Sequence, residues 1–481
     1  MTTLTQTQND LIAQLRVICG TANVLTHEDP SADLSPWEQD WRKRVHGRAL
    51  AVVRPGDTAQ VAAVVKACAA KGTSIVPQGG NTGLVVGGVP DGSGTQIVLS
   101  MTRMNAVRAI DPANLTITVE AGCVLQNLQA TAENAGFLFP LSLGAEGSCT
   151  IGGNLGTNAG GTQVVRYGNT RELCLGLEVV TAQGEIWHGL TGLRKDNTGY
   201  DLRNLMIGSE GTLGIITAAT LKLYPLPAAQ LTAWAAVPSM EAAVQLLGLA
   251  HQRLGPGLTG FEVMGQFALS LVDKHFPQMR VPLWKDTPWC VLLENSDSES
   301  ESHARGQFEA LLEAALEAGC VTDAVVAENL TQARGLWHIR ESITLAQVQE
   351  GQNIKHDISI PVSSIPTFVA ETDALLEREV PGVRLVDFGH LGDGNLHYNV
   401  QAPEGSDSKD FVRAFENKIN TLVFDQVKHF GGSISAEHGV GEQKVNKLPL
   451  YKDPTALAMM RVVKKALDPH NLLNPGRVLG R

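Results

Sequence analysis

Two histidines flank a predicted tight turn in the C-terminal half of the chain. Apolar runs on both sides of the tetrapeptide GDGN at 392–395 predict a β-hairpin, because Asp-Gly is a strong signal for a two-residue turn. With the turn centred on this Asp-Gly pair, His390 and His397 face each other directly across the two strands, with Cβ atoms about 4.5 to 5.5 Å apart. That separation suits two imidazoles on one metal ion.

A carboxylate that can complete this metal site lies in Ser-Ala-Glu-His-Gly at 435–439, after two glycines. A glycine-flanked turn there allows Glu437 to point to the metal and His438 to the substrate. Two histidines and one carboxylate with open positions are typical of a catalytic metal site rather than a structural one, and these ligands suit zinc, manganese or ferrous iron. Asn399 lies two residues beyond His397 on the same strand and points to the same face.

Three further polar side chains could bind an anionic substrate. Arg340 and Thr344 lie one helical turn apart, and Lys355 follows them in the sequence. An arginine presents a bidentate fork to a carboxylate, and a nearby lysine can hold a second one. A solvated helix face is the alternative interpretation of the same spacing.

The N-terminal half contains three glycine-rich tracts, at 78–94, 144–161 and 209–215. Clustered glycines expose backbone N–H groups and let the chain approach phosphates closely, so three tracts in one domain predict a cofactor that carries a pyrophosphate. The sequence lacks GxxxxGK[ST], which excludes a P-loop. No tight GxGxxG joins the first strand to the first helix, which disfavours an NAD-type Rossmann domain. We expect the second tract to be a loop rather than a regular helix.

Hydrophobic periodicity predicts the elements that carry these tracts. A strand at 49–54, a helix at 57–72 and a strand at 74–77 form a β-α-β opening. Pro225 and Pro227 mark a domain boundary. Beyond it, alanine- and leucine-rich helical stretches alternate with strands, which is typical of a separate α+β unit, and the end of the chain is expected to dock on the earlier domain.

Length and charge narrow the function classes. A chain of 481 residues is too long for one ordinary core, so we expect two or three structural units. A net charge of −11 gives no basic footprint for nucleic acid and argues against adhesion to an anionic membrane surface. The start of the sequence has no signal-peptide or transit-peptide pattern, and no run reaches the roughly 20 apolar residues of a membrane span, so a cytoplasmic location is expected. The seven cysteines are scattered without a CxxC pattern, which predicts buried, reduced thiols.

Eight motifs spread over nearly the whole chain after residue 45 carry a family resemblance. They are PQGGNTGL (77–84), AGCVLQNL (121–128), GSCTIGGN (147–154), TNAGG (157–161), LRKDNTGYDL (193–202), IGSEGTLGIIT (207–217), GHLGDGNLHYNV (389–400) and SAEHGVG (435–441). Together they resemble the FAD-linked oxidases of the vanillyl-alcohol oxidase type. Within that family they are most similar to the D-2-hydroxyglutarate dehydrogenases, followed by D-lactate dehydrogenases and glycolate oxidase flavoprotein subunits.

The resemblance implies an α+β fold in four parts. These are an N-terminal helical segment at 1–45, an FAD-binding domain of the vanillyl-alcohol oxidase type at 46–226, a substrate or cap domain with a largely antiparallel sheet and the metal site at 227–454, and a C-terminal segment at 455–481 that returns to the FAD domain. The resemblance also implies a set of FAD contacts: Pro77, Gly79, Gly80, Asn81, Thr82, Gly83, Leu84, Gly147, Ser148, Gly152, Gly153, Asn154, Ile215 and Asn474.

The same correspondence assigns roles to the polar residues described above. It implies that Arg340, Thr344 and Lys355 hold substrate carboxylates, that His390, His397 and Glu437 bind zinc, and that Asn399 and His438 face the substrate. The chain also departs from the family pattern. Members with covalent flavin carry a histidine in the first glycine loop, and this chain has none at 78–83, so noncovalent FAD is expected. The loop has one valine more, at Val85-Val86, and Ser142 and Glu146 stand where the family pattern has an acidic and a basic residue.

These features predict an FAD-dependent dehydrogenase of a D-2-hydroxy acid, with D-2-hydroxyglutarate oxidised to 2-oxoglutarate as the first choice and D-lactate or another D-2-hydroxy acid as the alternative. In this hypothesis the metal activates the hydroxyl, His438 takes its proton, and a hydride passes to the flavin. Two other classes are a metal hydrolase without flavin and a flavin-binding redox module without turnover. Expected partners are the acid itself and an electron acceptor such as electron-transfer flavoprotein or a quinone, with a homodimer as the default oligomer.

Overall fold

The computed structural model describes residues 4–480, which divide into two compact units. The first unit consists of the described residues up to Gly160, of Asn169–Pro225, and of the chain from Glu437 onward. The second consists of Gly161–Gly168 and Leu226–Ala436. No helix within residues 4–480 is both long and apolar enough to cross a bilayer.

The first unit combines short helices with three small sheets. Its helices are α1 Gln6–Cys19, α2 Ser35–Glu38, α3 Thr58–Ala70, α4 Leu125–Asn134, α5 Ile151–Thr157, α7 Thr170–Leu173, α8 Leu202–Met206, α15 Leu448–Tyr451 and α16 Pro454–Leu467. Its strands are β1 Val24–Leu25, β2 Ala49–Val53, β3 Ile75–Gln78, β4 Gln96–Ser100, β5 Val107–Asp111, β6 Thr116–Glu120, β7 Phe137–Leu138, β8 Cys174–Val180, β9 Ile186–Gly189, β10 Ile215–Lys222 and β11 Tyr224–Pro225.

The predicted β-α-β opening is confirmed in the four-stranded sheet β1-β2-β4-β3. Strands β2, β4 and β3 run parallel, and β2 and β4 are buried at every position. Burial on both faces explains their continuous apolar runs. Helix α3 starts where predicted because the side chain of Asp57 accepts a hydrogen bond from the backbone N–H of Gln60, at 2.7 Å.

A five-stranded antiparallel sheet, β5-β6-β10-β8-β9, completes the framework of this unit. Helix α5 packs on it and corrects one expectation, because residues 151–157 of the second glycine tract are helical rather than looped. A Cβ on Gly152 would lie 2.7 Å from the Cβ of Ala121. Close packing of Ile151 and Leu155, which are both fully buried, therefore outweighs the low helix propensity of the glycines.

The C-terminal residues belong to the first unit. Leu473 forms a parallel bridge with Ile75 at the start of β3, and the backbone N–H of Asn474 donates to the carbonyl of Ile75 at 2.7 Å. The end of the chain thus lies beside the strand that leads into the first glycine tract.

The second unit is built on one eight-stranded sheet in the order β15-β12-β14-β13-β18-β19-β16, with β17 also paired to β19. All these pairings are antiparallel. Its strands are β12 Ala229–Val237, β13 Leu258–Gly265, β14 Trp289–Asp297, β15 Asp323–Val326, β16 Asn353–Ile354, β17 Asp357–Ser359, β18 Arg384–His390 and β19 Asn395–Gln401. Its helices are α6 Val164–Tyr167, α9 Met240–Leu254, α10 Gln266–His275, α11 Glu301–Glu317, α12 Leu330–Glu350, α13 Ile365–Glu379 and α14 Ser408–His429. The predicted α+β class with a largely antiparallel sheet is confirmed.

A pair of acidic side chains, the buried Asp387 and the half-buried Asp373, lies on the other side of this sheet from the two histidines. Asp387 on β18 pairs with Tyr398 on β19, and the Tyr398 hydroxyl donates to Asp373 on α13 at 2.6 Å. The Oδ1 atom of Asp387 is buried without a hydrogen-bond partner. Burial raises the pKa of Asp373 to about 6, and burial together with the charge of Asp373 raises the pKa of Asp387 well above its ordinary value.

We expect Asp387→Asn to raise the melting temperature at pH 8 and to change it little at pH 4. A carboxyl whose folded pKa is raised favours folding only while it is protonated, so wild-type stability falls as the pH rises above the unfolded value of about 3.9. Asparagine removes that penalty. Thermal unfolding of both proteins at the two pH values tests this, with the exposed Asp286→Asn as control. A lower melting temperature for Asp387→Asn at pH 8 would contradict it.

All seven cysteines are buried and unpaired with one another, as predicted. Burial raises the thiol pKa of Cys68, Cys174 and Cys290 to about 12. It raises that of Cys19 and Cys123 to about 11.

Candidate functional site

The two histidines occupy a hairpin whose register differs from the prediction. His390 at the end of β18 pairs with Asn395, and His397 on β19 pairs with Phe388. The connection therefore uses four residues instead of two, with a 3-10 turn at Leu391–Asp393 followed by a left-handed glycine, Gly394, at φ 84°. The prediction that the two histidines lie directly opposite each other was wrong for this reason.

The prediction that both histidines share one face is confirmed. In this register they are diagonal neighbours on the same side of the strand pair, a spacing that ring side chains can span. Their ring centroids lie 5.4 Å apart. Gly394 fixes the turn, because its φ favours glycine and because a Cβ there would overlap the carbonyl oxygen of Ile360.

The three predicted metal ligands come together. One ligand atom each of His390, His397 and Glu437 lie within 4.8 Å of one another. The position of Glu437 follows from its neighbour Ala436, whose backbone N–H donates to the carbonyl of Asp357 at 3.2 Å, and residues 436–438 form a bend, as the glycine-flanked sequence predicted. Two imidazoles and one carboxylate are a donor set that fits a catalytic zinc-type ion with an open position.

His438 lies in the same bend. Its ring, the carboxylate of Asp357 and that of Glu437 also offer ligand atoms within 4.8 Å of one another. A neutral imidazole is the side chain most often used as a general base near neutral pH. The role of His438 as a base stays a prediction.

Glu262 was not identified from the sequence, yet it contacts two of the predicted site residues. It lies on β13, whose register places Val263 opposite Gly389, and it is 0 % exposed. Its Oε1 lies 2.6 Å from Nδ1 of His390, and its Oε2 accepts a hydrogen bond from Nε of Arg340 at 2.7 Å. A charged residue inside the apolar strand sequence FEVM was the available signal.

The charge state of Glu262 determines the tautomer of its histidine partner. Burial alone would raise the carboxyl pKa, but the neighbouring charges of Arg340 and His390 and their hydrogen bonds lower it to about 2. Glu262 is therefore ionised and can only accept hydrogen bonds. Nδ1 of His390 carries the proton in this contact, which leaves Nε2 as the ligand atom for a metal.

Arg340 lies on α12 and is buried. Its guanidinium carbon lies 4.9 Å from the ring centroid of Phe388. Its Nη2 atom lies 2.7 Å from Oε2 of Glu262, so the two groups form a buried ion pair. A buried guanidinium with its planar set of donors is suited to binding a further carboxylate. Thr344, one turn later, is exposed, and Lys355 lies half-buried between β16 and β17.

Asn399 lies on the face predicted for it, within a buried amide network. Its Nδ2 donates to Oε1 of Gln347 at 3.0 Å, and its Oδ1 accepts from the backbone N–H of His356 at 3.1 Å. Gln347 also accepts a hydrogen bond from Asn353 at 2.7 Å. Sequence reasoning did not identify Gln347, although an amide on the buried face of α12 was visible at helical spacing from Arg340.

In the first unit, two of the glycine loops pack closely against each other. A Cβ on Gly79 would overlap Oγ1 of Thr150, and a Cβ on Gly80 would overlap the carbonyl oxygen of Ser148. Oγ1 of Thr150 and Oδ1 of Asn474 are buried without a hydrogen-bond partner. Orphaned polar atoms beside glycine backbone fit the polar groups of FAD.

The other predicted FAD contacts are also in the first unit, at 77–84, at 147–154 and at Ile215. Asn81 adopts a left-handed φ of 54°, and its Nδ2 donates to the carbonyls of Pro36 and Gln39 at 3.0 and 2.8 Å. The Nδ2 atom of Asn474 donates to the carbonyls of Gly87 and Glu210 at 2.9 and 2.8 Å. These asparagines therefore shape the loops through their amide donors.

The additional valine of the first loop has a structural counterpart. Val86 is buried and adopts a left-handed φ of 62°, which is unusual for a β-branched residue. Its carbonyl accepts from Nε of Arg477 at 3.4 Å, and the carbonyl of Val85 accepts from the backbone N–H of Glu442 at 3.0 Å. The C-terminal segment thus stabilises the longer loop. Glu146, the second departure, accepts from the N–H of Leu143 at 3.2 Å.

Glu210 in the third glycine tract is a second residue that sequence reasoning missed. It is buried with a left-handed φ of 51°, and its carboxylate accepts hydrogen bonds from the backbone N–H groups of Val440 and Gly441, each at 2.7 Å. Burial raises its pKa, although these two donors oppose the shift. Glu210 therefore anchors the chain just after His438.

We expect Gly80→Ala to yield a protein with little bound flavin. The added methyl group would overlap the Ser148 carbonyl, so one of the two loops must move away from its position against the other. Flavin absorbance relative to protein concentration measures the occupancy. Gly92→Ala is the matched control, because a Cβ at Gly92 meets nothing within 4 Å. Full flavin occupancy in Gly80→Ala would show that these loops do not form the cofactor site.

Comparison with known proteins covers both units. Residues 226–478 match the protein-family model described as FAD linked oxidases, C-terminal domain. Residues 49–189 match the family model described as FAD binding domain. The chain is 40% identical over 447 residues to D-2-hydroxyglutarate dehydrogenase of Xanthomonas citri pv. viticola, covering 93% of each chain. It is 38% identical over 468 residues to the mitochondrial D-2-hydroxyglutarate dehydrogenase of Arabidopsis thaliana, covering 97% of this chain and 81% of the relative.

The fold is shared with more distant flavoproteins. The structure of p-cresol methylhydroxylase with substrate bound superposes with a TM-score of 0.76 at 17% identity, covering 99% of this chain and 98% of the other. The Arabidopsis relative is named as mitochondrial, so the comparisons do not support the cytoplasmic expectation. From the matches over both units, we conclude that this chain belongs to the FAD-linked oxidases, in the group of FAD-dependent D-2-hydroxy-acid dehydrogenases.

Proposed function

We propose that the protein oxidises D-2-hydroxyglutarate to 2-oxoglutarate, with noncovalent FAD held by the first unit and a zinc-type ion held by His390, His397 and Glu437. The observation that carries the proposal is the buried guanidinium of Arg340, which shares the carboxylate of Glu262 with a predicted metal ligand. A carboxylate-binding group beside a catalytic metal set suits a 2-hydroxy acid. The names of the relatives support the same substrate.

The side chains of the second unit bind and orient the acid in this proposal. Arg340 holds one carboxylate through its guanidinium group, while Thr344 and Lys355 hold the other. Asn399 faces the substrate from the same side of the strand as His397. The absence of a histidine at 78–83 supports noncovalent flavin.

The oxidation removes one proton and one hydride from the substrate. An imidazole nitrogen of His438 takes the proton of the α-hydroxyl, and the α-hydrogen leaves carbon with its electron pair, so that a ketone forms. When bound, a zinc-type ion supplies polarisation of the hydroxyl and FAD supplies the hydride acceptor. An external acceptor such as electron-transfer flavoprotein or a quinone then takes up the electrons that the substrate has lost.

The test is dye-coupled oxidation of a panel of D- and L-2-hydroxy acids by the purified holoprotein. The panel includes D-2-hydroxyglutarate and D-lactate, each measured before chelation, after chelation and after zinc is restored. We expect the highest kcat/KM with D-2-hydroxyglutarate, and loss and recovery of activity with the metal. A yellow protein that oxidises none of these acids would overturn the proposed function. Preference for D-lactate would assign it to the one-carboxylate acids.

A further inference from the structure

One carboxylate joins the predicted metal ligand to the predicted substrate-binding arginine. Glu262 uses Oε1 for His390 on β18 and Oε2 for Arg340 on α12, at 2.6 and 2.7 Å. It is 0 % exposed. These two partners lie on different elements, and both contact the same residue of β13.

Stability alone does not explain a buried ion pair of this kind. Removing a carboxylate and a guanidinium from water is costly, and well-packed apolar residues are often equally stable or more so. The geometry offers a further reason. A carboxylate at Nδ1 fixes the orientation and tautomer of a metal-binding imidazole and increases its basicity. At Arg340 the same carboxylate accepts from Nε at 2.7 Å and lies 2.7 Å from Nη2, so it holds the orientation of the guanidinium.

We propose that Glu262 is a positioning residue that sets two affinities at once: that of the His390 site for zinc and that of Arg340 for the substrate carboxylate. This inference rests on the proposed function for the identity of the acid and for the zinc site. The link between Glu262 and that zinc site is the contact of Glu262 with His390.

The neighbouring strand offers a matched control. Glu294 on β14 is also buried, with 7% of its surface exposed. It accepts hydrogen bonds from Thr259 at 2.9 Å, from Trp337 at 3.0 Å and from Gln230 at 3.2 Å, and also from Gln163. None of these donors is a predicted metal or substrate residue. Replacing Glu294 with glutamine therefore reproduces the structural consequences of losing a buried carboxyl group in this sheet.

The experiment compares Glu262→Gln with Glu294→Gln in the FAD-loaded protein. Zinc affinity is measured by competition with a chromophoric chelator, without any substrate, and KM and kcat are measured with D-2-hydroxyglutarate. A glutamine offers one acceptor oxygen and cannot accept from both partners. We expect zinc affinity to fall by about 10- to 100-fold in Glu262→Gln and KM to rise, with wild-type zinc affinity and KM in Glu294→Gln.

Unchanged zinc affinity and KM in a folded, yellow Glu262→Gln would overturn the inference, as would equal losses in both variants. If Glu262→Gln does not fold, Glu262→Asp carries the same test, because its shorter side chain keeps the charge but cannot reach both partners. The two proposals fail differently. A wild-type protein that binds zinc but oxidises no 2-hydroxy acid refutes the proposed function, while the zinc measurement still decides the role of Glu262.

Discussion

Replacing His390 with alanine is expected to lower kcat for the 2-hydroxy acid by at least about 10³-fold while the protein stays yellow. Polarisation of the substrate by a metal contributes several kcal/mol to transition-state stabilisation, and about 4 kcal/mol corresponds to this loss. His390 lies in the second unit, whereas the predicted FAD contacts lie in the first, so flavin content should not change. Steady-state kinetics, flavin absorbance and zinc content measured on one preparation test the prediction.

The matched control is His251→Ala, because His251 is exposed at the end of α9. It should keep wild-type kcat, flavin and zinc. Full activity in His390→Ala with zinc absent would remove the metal from the mechanism. Loss of flavin together with activity would instead indicate that the substitution disturbs the fold.

Replacing Arg340 with lysine is expected to raise KM for D-2-hydroxyglutarate by at least about 10- to 100-fold. A charge-assisted hydrogen bond contributes about 1.5 to 3 kcal/mol, and the lysine ammonium lacks the planar fork that can bind Glu262 and a substrate carboxylate together. The lysine keeps a positive charge beside the buried Glu262, so the effect should appear in KM more than in stability. Steady-state kinetics and thermal unfolding separate the two.

Arg334→Lys on the same helix is the control, because Arg334 is exposed. It should leave KM and the melting temperature unchanged. An Arg340→Lys protein with wild-type KM would show that the substrate carboxylate binds elsewhere, and Lys355 would then be the next residue to replace.

The sequence predicted the face of the hairpin better than its register. Alternation along a strand places His390 and His397 on one side whatever the length of the turn, provided that the parity is kept. The register depended on the turn type, and GDGN admits both a two-residue turn and the observed four-residue connection with only Gly394 left-handed. Gly394 packs against the carbonyl of Ile360, a contact that the local sequence does not reveal.

Glu262 and α5 are two features that the local sequence pattern did not predict. Glu262 looked like a single charge in an apolar strand, because its partners His390 and Arg340 are distant in the sequence and meet only when the sheet forms. Residues 151–157 looked like a loop because glycine disfavours helices, and the packing of Gly152 on Ala121 reverses that preference. Features that depend on neighbouring residues were predictable from the sequence, whereas contacts between residues far apart in the sequence were not.

The buried cysteines make the protein directly accessible to site-specific labelling. Maleimides react with thiolates, and a thiol pKa of about 11 to 12, as for Cys19, Cys68, Cys123, Cys174 and Cys290, leaves roughly three orders of magnitude less thiolate than an exposed cysteine near pKa 8.5. A single cysteine introduced at an exposed position, such as Ser302→Cys on α11, should therefore carry a fluorophore selectively. Fluorescence experiments on the folded enzyme then need no removal of its native cysteines.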